Sequence, residues 1–268
     1  MKDRNQEFIK TITIPVNSRP HYLKKTLLSI VKNDLNGWKI FFSIEPSEYS
    51  SIMVNLIKEI IADRTNYQIK INVKKKGVEK NTYSSLQIAF NAGSKMNIYL
   101  EDDIVISPDV TRLSDWYYKQ THKGIMCLNL LYGACGGINH ISKDFPEYII
   151  KTKQFNSYGF VLSRNQWLTY FKPYWFDYSH GFTNKDGNPM LGWDWAVFKH
   201  NLKEDRNLFA LQPLLARANH IGRNGGTFCK PKFYDKTFSH IKVSNYSNKI
   251  NYRIKENDIE ELLWKRRI

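Results

Sequence analysis

The chain has 268 residues, with 40 Lys and Arg against 25 Asp and Glu, hence a formal charge of +15. A hydrophobic content of 42% and an aromatic content of 14% supply a packed core and exclude disordered, collagen-like and disulfide-scaffold classes. No run approaches the roughly 18 consecutive apolar residues of a membrane-spanning helix, because even Ile52–Ile61 is broken by Asn55, Lys58 and Glu59. The charged N-terminus has no apolar stretch behind it, so a cleaved secretory signal is not expected. Cys127, Cys135 and Cys229 are odd in number and lack CxxC spacing, which suits a reducing, cytoplasmic setting better than a disulfide framework or zinc knuckle.

In chain order, Thr11–Val16 reads as a strand and Pro20–Val31 as a helix with Leu23, Leu27, Leu28 and Ile30 inward. Trp38–Ile44 is a second strand, and the spacing of Ile52, Met53, Leu56, Ile57, Ile60 and Ile61 predicts a second helix. Gln68–Val73 alternates polar and apolar residues, as a strand near a sheet edge does. A third helix over Val78–Ala92 carries Leu86, Ala89 and Phe90 on one face, with Gly93 as its stop signal. Met96–Leu100 is a fourth strand. Alternating strands and helices of this kind feed a parallel sheet, the α/β, Rossmann-like class. Beyond Pro108 the elements become shorter and aromatics rise, without a linker, so both halves abut in one unit. Ile259–Ile268 is a short amphipathic helix candidate.

The fourth strand runs into Glu101-Asp102-Asp103. Ligands of open α/β sheets sit beyond the carboxyl ends of strands, and a hard cation such as Mn²⁺ or Mg²⁺ takes one or two carboxylates and completes its shell with phosphate oxygens and water. On an extended chain Glu101 and Asp103 would face one side and Asp102 the other. The plainer alternative is an acidic turn before Pro108. A second candidate is Asp194 between Trp193 and Trp195, where large rings limit hydration, raise a carboxyl toward a working base and offer a sugar a flat face; an Asp N-cap is the alternative. A third is the loop 217–227, glycine-rich and basic, whose amides with Arg223 and Thr227 suit phosphate oxygens or a closing lid, against an ordinary surface turn. His220 is a candidate metal ligand in that loop, though a lone His is more often structural. The basic runs Lys74–Lys76 and Lys265–Arg267 lack the module and interleaved aromatics of a nucleic-acid binder. Beside Trp264, the second would make a weak peripheral contact with an anionic bilayer.

The ordered series Ile14–Arg19, Ser43–Glu45, Tyr99–Asp109, Phe155–Trp167, Pro173–Trp175, Trp193-Asp194 and Ile221–Gly225 resembles GT-A-fold glycosyltransferases, and more narrowly the N-acetylglucosaminyltransferase I family. The resemblance implies a nucleotide-sugar half at 1–108, an acceptor and catalytic half at 109–229 and an extension at 230–268. It implies that Asp103 binds Mn²⁺ or Mg²⁺, Asp102 the ribose, Glu101 the donor sugar, and Arg19 and Glu45 the nucleotide. Asp194 would be the base, Trp193 would lie at the sugar and Thr227 at the diphosphate. The implied activity is inverting, metal-dependent transfer of N-acetylglucosamine or another hexose from a UDP-sugar to a glycan or glycoconjugate hydroxyl. The sequence departs from that family at Glu45, where Asp is commoner, in the single acid Asp194, and in having no Golgi anchor or stem. A sugar-nucleotide nucleotidyltransferase is a rival, but Val16–Pro20 lacks its glycine-rich signature. A non-catalytic carbohydrate- or nucleic-acid-binding protein on the same scaffold is another.

Overall fold

The computed structural model describes residues 9–120, 124–131, 146–179, 181, 183, 187, 192–203, 208–226, 229–246 and 250–255. Strand β1 (Ile9–Val16) leads through helix α1 (Pro20–Ile30) to β2 (Trp38–Ile44), then through α2 (Ser50–Ile61) to β3 (Asn66–Ile71). Helix α3 (Val78–Asn91) returns the chain to β4 (Ser94–Tyr99). After β5 (Ile104–Ile106) and α4 (Val110–Lys119) come β6 (Ile125–Asn129), β7 (Tyr148–Thr152) and β8 (Phe160–Ser163). The short α5 (Arg164–Gln166) continues through a wider turn at Trp167–Phe171 and a tighter one at Lys172–Tyr174. Helix α6 (Trp193–Phe198), β9 (Phe209–Pro213), β10 (Ala218–His220), α7 (Pro231–Thr237) and β11 (Arg253–Ile254) complete the order.

Among the described residues nine strands form one sheet in the order β11-β7-β9-β6-β8-β4-β1-β2-β3. β1, β2, β3 and β4 pair in parallel, joined by helical crossovers, whereas β8 enters antiparallel between β4 and β6. The alternating strand β3 is indeed at the edge. Side chains alternate across this sheet and so divide the core in two. Met96, Ile98 and Leu100 join Ile12, Ile14, Leu23, Leu27, Ile57 and Leu113 on one face. Tyr99 joins Leu86, Phe90, Phe160, Trp167, Trp175 and Trp193 on the other. Each fully buried large apolar side chain contributes about 1.5–3 kcal/mol.

Two details of the helical faces differ from expectation. Leu28 is 44% exposed and Ile52 is 50% exposed. At 100° per residue, α1 turns Leu23, Leu27 and Ile30 inward and carries Leu28 off that stripe, and α2 does the same with Met53, Ile57 and Ile61 against Ile52. The Ile259–Ile268 helix lies outside the described residues. Among the described residues no helix is long and apolar enough to cross a membrane.

A small ribbon matters more for the site than its size suggests. β5 pairs antiparallel with β10, setting Ile104 opposite His220 and Ile106 opposite Ala218. It is anchored from below by Arg217, fully buried, whose Nε lies 2.8 Å from Asp109 Oδ2 and whose other nitrogens donate to the carbonyls of Leu215 and Pro146. Tyr252 and Ser107 donate their hydroxyls to the same Asp109 carboxylate. A buried pair so fully hydrogen-bonded is costly to break on one side. Arg217→Ala is expected to lower unfolding free energy by about 3–5 kcal/mol in urea denaturation, and replacing Arg217 and Asp109 together by apolar residues to recover much of the loss.

Candidate active site

At the carboxyl end of β4 the chain turns rather than extends: the Ile104 amide donates to the Glu101 carbonyl 3.2 Å away. This corrects the expectation that Asp102 and Asp103 point to opposite sides. The turn brings both carboxylates onto one guanidinium, with Arg19 Nη2 2.6 Å from Asp102 Oδ1 and Nη1 2.7 Å from Asp103 Oδ2. Arg19 arrives there because β1 is hydrogen-bonded beside β4 and ends at Val16, leaving Asn17–Arg19 to cross above β4 before Pro20 opens α1. The Asn17 amide donates to Asp102 Oδ2 at 2.7 Å, and Thr26 donates its hydroxyl to the Asp102 carbonyl.

The ribbon delivers the other wall. His220, opposite Ile104, places Nε2 3.1 Å from Asp103 Oδ2, and the Ile221 amide donates to the Asp103 carbonyl. Gly222 follows at a point where no side chain fits, since a Cβ there would stand 2.0 Å from Asp103 Oδ2 and 2.9 Å from Arg19 Nη1. His220 is thus drawn into the acidic cluster, and the loop that the sequence singled out for its glycines needs Gly222 for close approach.

The three acids differ electrostatically. Burial pushes Glu101 up to about 7, with the neighbouring Asp103 charge adding to it and the Tyr99 hydroxyl, 3.1 Å away, opposing it. Burial raises Asp102 to about 6, even with Arg19 and the Asn17 amide favouring its charged form. For Asp103 burial acts upward too, but His220 and Arg19 outweigh it and hold the carboxyl below its usual value.

Asp194 belongs to the same end of the sheet. Because β8 runs antiparallel beside β4, with Phe160 opposite Tyr99, the segment before β8 lies over the carboxyl end of β4. From it Ser157 donates its hydroxyl to Asp194 Oδ2 at 3.3 Å, while the next ring, Tyr158, packs edge-on against His220 with centroids 5.4 Å apart. The negative charges of Glu101 and Asp194 both act on the Tyr158 phenol, which burial has already raised above its ordinary value. Asp194 is not the N-cap of α6. Gly192 is, and Asp194 is the second helical residue, its carboxylate over Gly192, where a Cβ would lie 2.6 Å from Oδ1. Desolvation raises the Asp194 carboxyl, with the Trp195 amide and Ser157 opposing.

Other sequence candidates are placed differently from expectation. Trp193 offers no open ring face: it is 5% exposed and stacked on Trp175 at 4.0 Å with planes 5° apart, so it is a wall of the core. Arg223 is turned outward to Asp235 of α7, with two 2.8 Å bonds, away from Asp103. Glu45 sits beyond β2, buried, both carboxylate oxygens accepting from the Lys76 amide. Its own amide donates to the Val16 carbonyl, so it flanks Asn17 but not the acids themselves. Thr227 lies outside the described residues. Asn17, Tyr99, Ser157 and Tyr158 also belong to this cluster; all four fell inside the Ile14–Arg19, Tyr99–Asp109 and Phe155–Trp167 series without a stated role of their own.

No group of three His, Cys, Asp or Glu side chains converges as a metal cage among the described residues. Asp103 Oδ1 is nevertheless buried without a hydrogen-bond partner. One such oxygen fits a hard divalent cation that takes its remaining ligands from phosphate and water.

No protein-family model and no curated protein matches the sequence. Solved structures do resemble the chain. S. aureus TarS 1-349 in complex with UDP-GlcNAc superposes with a TM-score of 0.55 at 12% identity, covering 82% of this chain and 60% of that one. TarS 1-349 in complex with UDP gives 0.50 at 10% identity, over 76% and 60% of the two chains. The fold is of GT-A type. The chain spans only those three fifths of TarS 1-349, and at this identity the likeness is one of fold.

Gly222→Ala is expected to cost about 1–3 kcal/mol through overpacking, read as a lowered urea midpoint, with the loss reduced when Asp103 is also shortened to Ala.

Proposed function

We propose that the chain is an inverting glycosyltransferase that moves a sugar from a nucleoside-diphosphate donor, UDP-linked in the first instance, to a hydroxyl of a glycan or glycoconjugate. The observation that carries this reading is the pairing, at one end of one sheet, of an Arg-clamped acidic turn with a desolvated carboxylate held by Ser157. The GT-A fold supports it, and so does the UDP-GlcNAc in the TarS 1-349 complex. In this reading residues 1–108 form the donor half, 109–229 the acceptor half and 230–268 an extension.

Asp194 takes the proton of the acceptor hydroxyl. The freed oxygen attacks the anomeric carbon as the bond to the diphosphate breaks, and that electron pair leaves on the diphosphate. One base and one displacement invert the centre. A glycosidase instead uses two flanking carboxyl groups, one of them a proton donor. Asp103 Oδ1 would hold Mn²⁺ or Mg²⁺, which when bound supplies charge neutralisation of the leaving diphosphate. Glu101, partly protonated near neutrality, is suited to hydrogen-bond a sugar hydroxyl as donor or acceptor. Asp102, steadied by the Asn17 amide and Arg19, is the candidate for the ribose, and Glu45, with the Lys76 backbone, flanks the nucleotide side. Burial of the Asp194 carboxyl raises its basicity. N-acetylglucosamine is the first sugar to try.

Asp194→Asn is expected to lower transfer from UDP-sugars by about 10²–10⁴-fold while leaving UDP affinity in calorimetry unchanged, whereas Asp103→Ala loses both. Retained turnover in Asp194→Asn would remove the base assignment, and pyrophosphate release from a nucleoside triphosphate and a sugar phosphate would convert the reading to nucleotidyl transfer.

The pH profile offers a separate check. The working form of Asp194 is the anion, and its carboxyl titrates above the ordinary value of 3.8, so kcat/KM falls as pH drops through that raised value. Ser157 donates to the charged form, so Ser157→Ala is expected to move this acid limb to still higher pH with the alkaline limb in place.

A further inference from the structure

The acidic turn carries its own counter-ion. Arg19 spans Asp102 and Asp103 with its two terminal nitrogens, its side chain 12% exposed and the carboxylates 3% and 1% exposed. At that depth solvent and salt weaken the pairing little. Asp103 Oδ2 is saturated, since it accepts from Arg19 and His220 and has the Gly222 backbone against it. Only Oδ1 is open. A lone divalent cation on Oδ1 would share one buried carboxylate with a guanidinium on the neighbouring oxygen, and two cations so close in a low-dielectric site repel strongly.

Arg19 also has the means to move. Its Nε is buried without a partner, and its guanidinium lies 5.4 Å from the Tyr22 ring centroid, a surface on which it can rest when it leaves Asp103. The glycine loop lies along Arg19 without a side chain to hold it: a Cβ would stand 3.5 Å from Arg19 Cδ at Gly225 and 2.9 Å from Nη1 at Gly222, and neither residue has one. A planar guanidinium matches two diphosphate oxygens as well as two carboxylates.

We propose that Arg19 is an exchangeable counter-ion: in the free protein it clamps Asp102 and Asp103 and keeps a lone divalent cation out, and a nucleoside diphosphate releases it by offering its own oxygens, so that cation and nucleotide enter together. This rests on the donor-site reading for the identity of the nucleotide; the exclusion of the cation depends on Arg19, Asp103 and His220 alone.

The test is a titration with Mn²⁺, following the free ion by electron paramagnetic resonance, on the full chain with and without UDP. Wild type alone is expected to leave free Mn²⁺ unchanged, and with UDP to sequester more than UDP does by itself. Arg19→Met is expected to bind Mn²⁺ without UDP at least about tenfold more tightly than wild type, and to lose that gain in Arg19→Met/Asp103→Asn. Wild type taking up Mn²⁺ equally with and without UDP overturns the proposal, as does a natively folded Arg19→Met that gains nothing. If Arg19→Met does not fold, the wild-type comparison decides. If UDP does not bind at all, the donor reading falls, and the Arg19→Met uptake alone decides the exclusion.

Discussion

The arrangement depends on how this fold tolerates three acids in succession at the end of a buried strand. Two of them are nearly solvent-free, and an unpaired buried charge costs several kcal/mol. The compensation is shared among β1, which supplies the Asn17 amide and then Arg19, and β10, which supplies His220. Because these donors come from different elements, the acids tie together the ends of β1, β4, β5 and β10.

Asp194 is treated by a different physics. It has no cation partner among the described residues, and its basicity comes from restricted hydration, with Ser157 and helix amides favouring the charged form. The two carboxylate environments are thus pushed apart: Asp103 is kept charged by its contacts with His220 and Arg19, and Asp194 is made a better proton acceptor by desolvation. Such divergence is what separates a charge-binding role from a base.

Much of the first hundred residues is legible in the sequence. The short β-branched and aromatic runs at Thr11–Val16 and Trp38–Ile44 and the helical spacing around Met53 and Leu86 depend on residue type and local sterics, so they can be read residue by residue. Beyond Pro108 this legibility fades. β6, β8 and β9 are short, and their neighbours in the sheet are distant in sequence, as with Met96 opposite Ser163. The wider turn at Trp167–Phe171 follows from packing its aromatics into the core, which no local spacing reports.

By itself the sequence determined the α/β class, the acidic run after β4 and the unusual Asp194, because each is a matter of residue type at a local position. It could not determine what these side chains touch. Only the tertiary structure decided that the acids turn onto one guanidinium, that His220 joins them through the β5–β10 ribbon, that Trp193 is a wall and not a platform, and that Arg223 faces outward. Those outcomes rest on contacts between residues such as Arg19 and Asp102, 83 positions apart, whose geometry is set by strand pairing and by the space a glycine leaves.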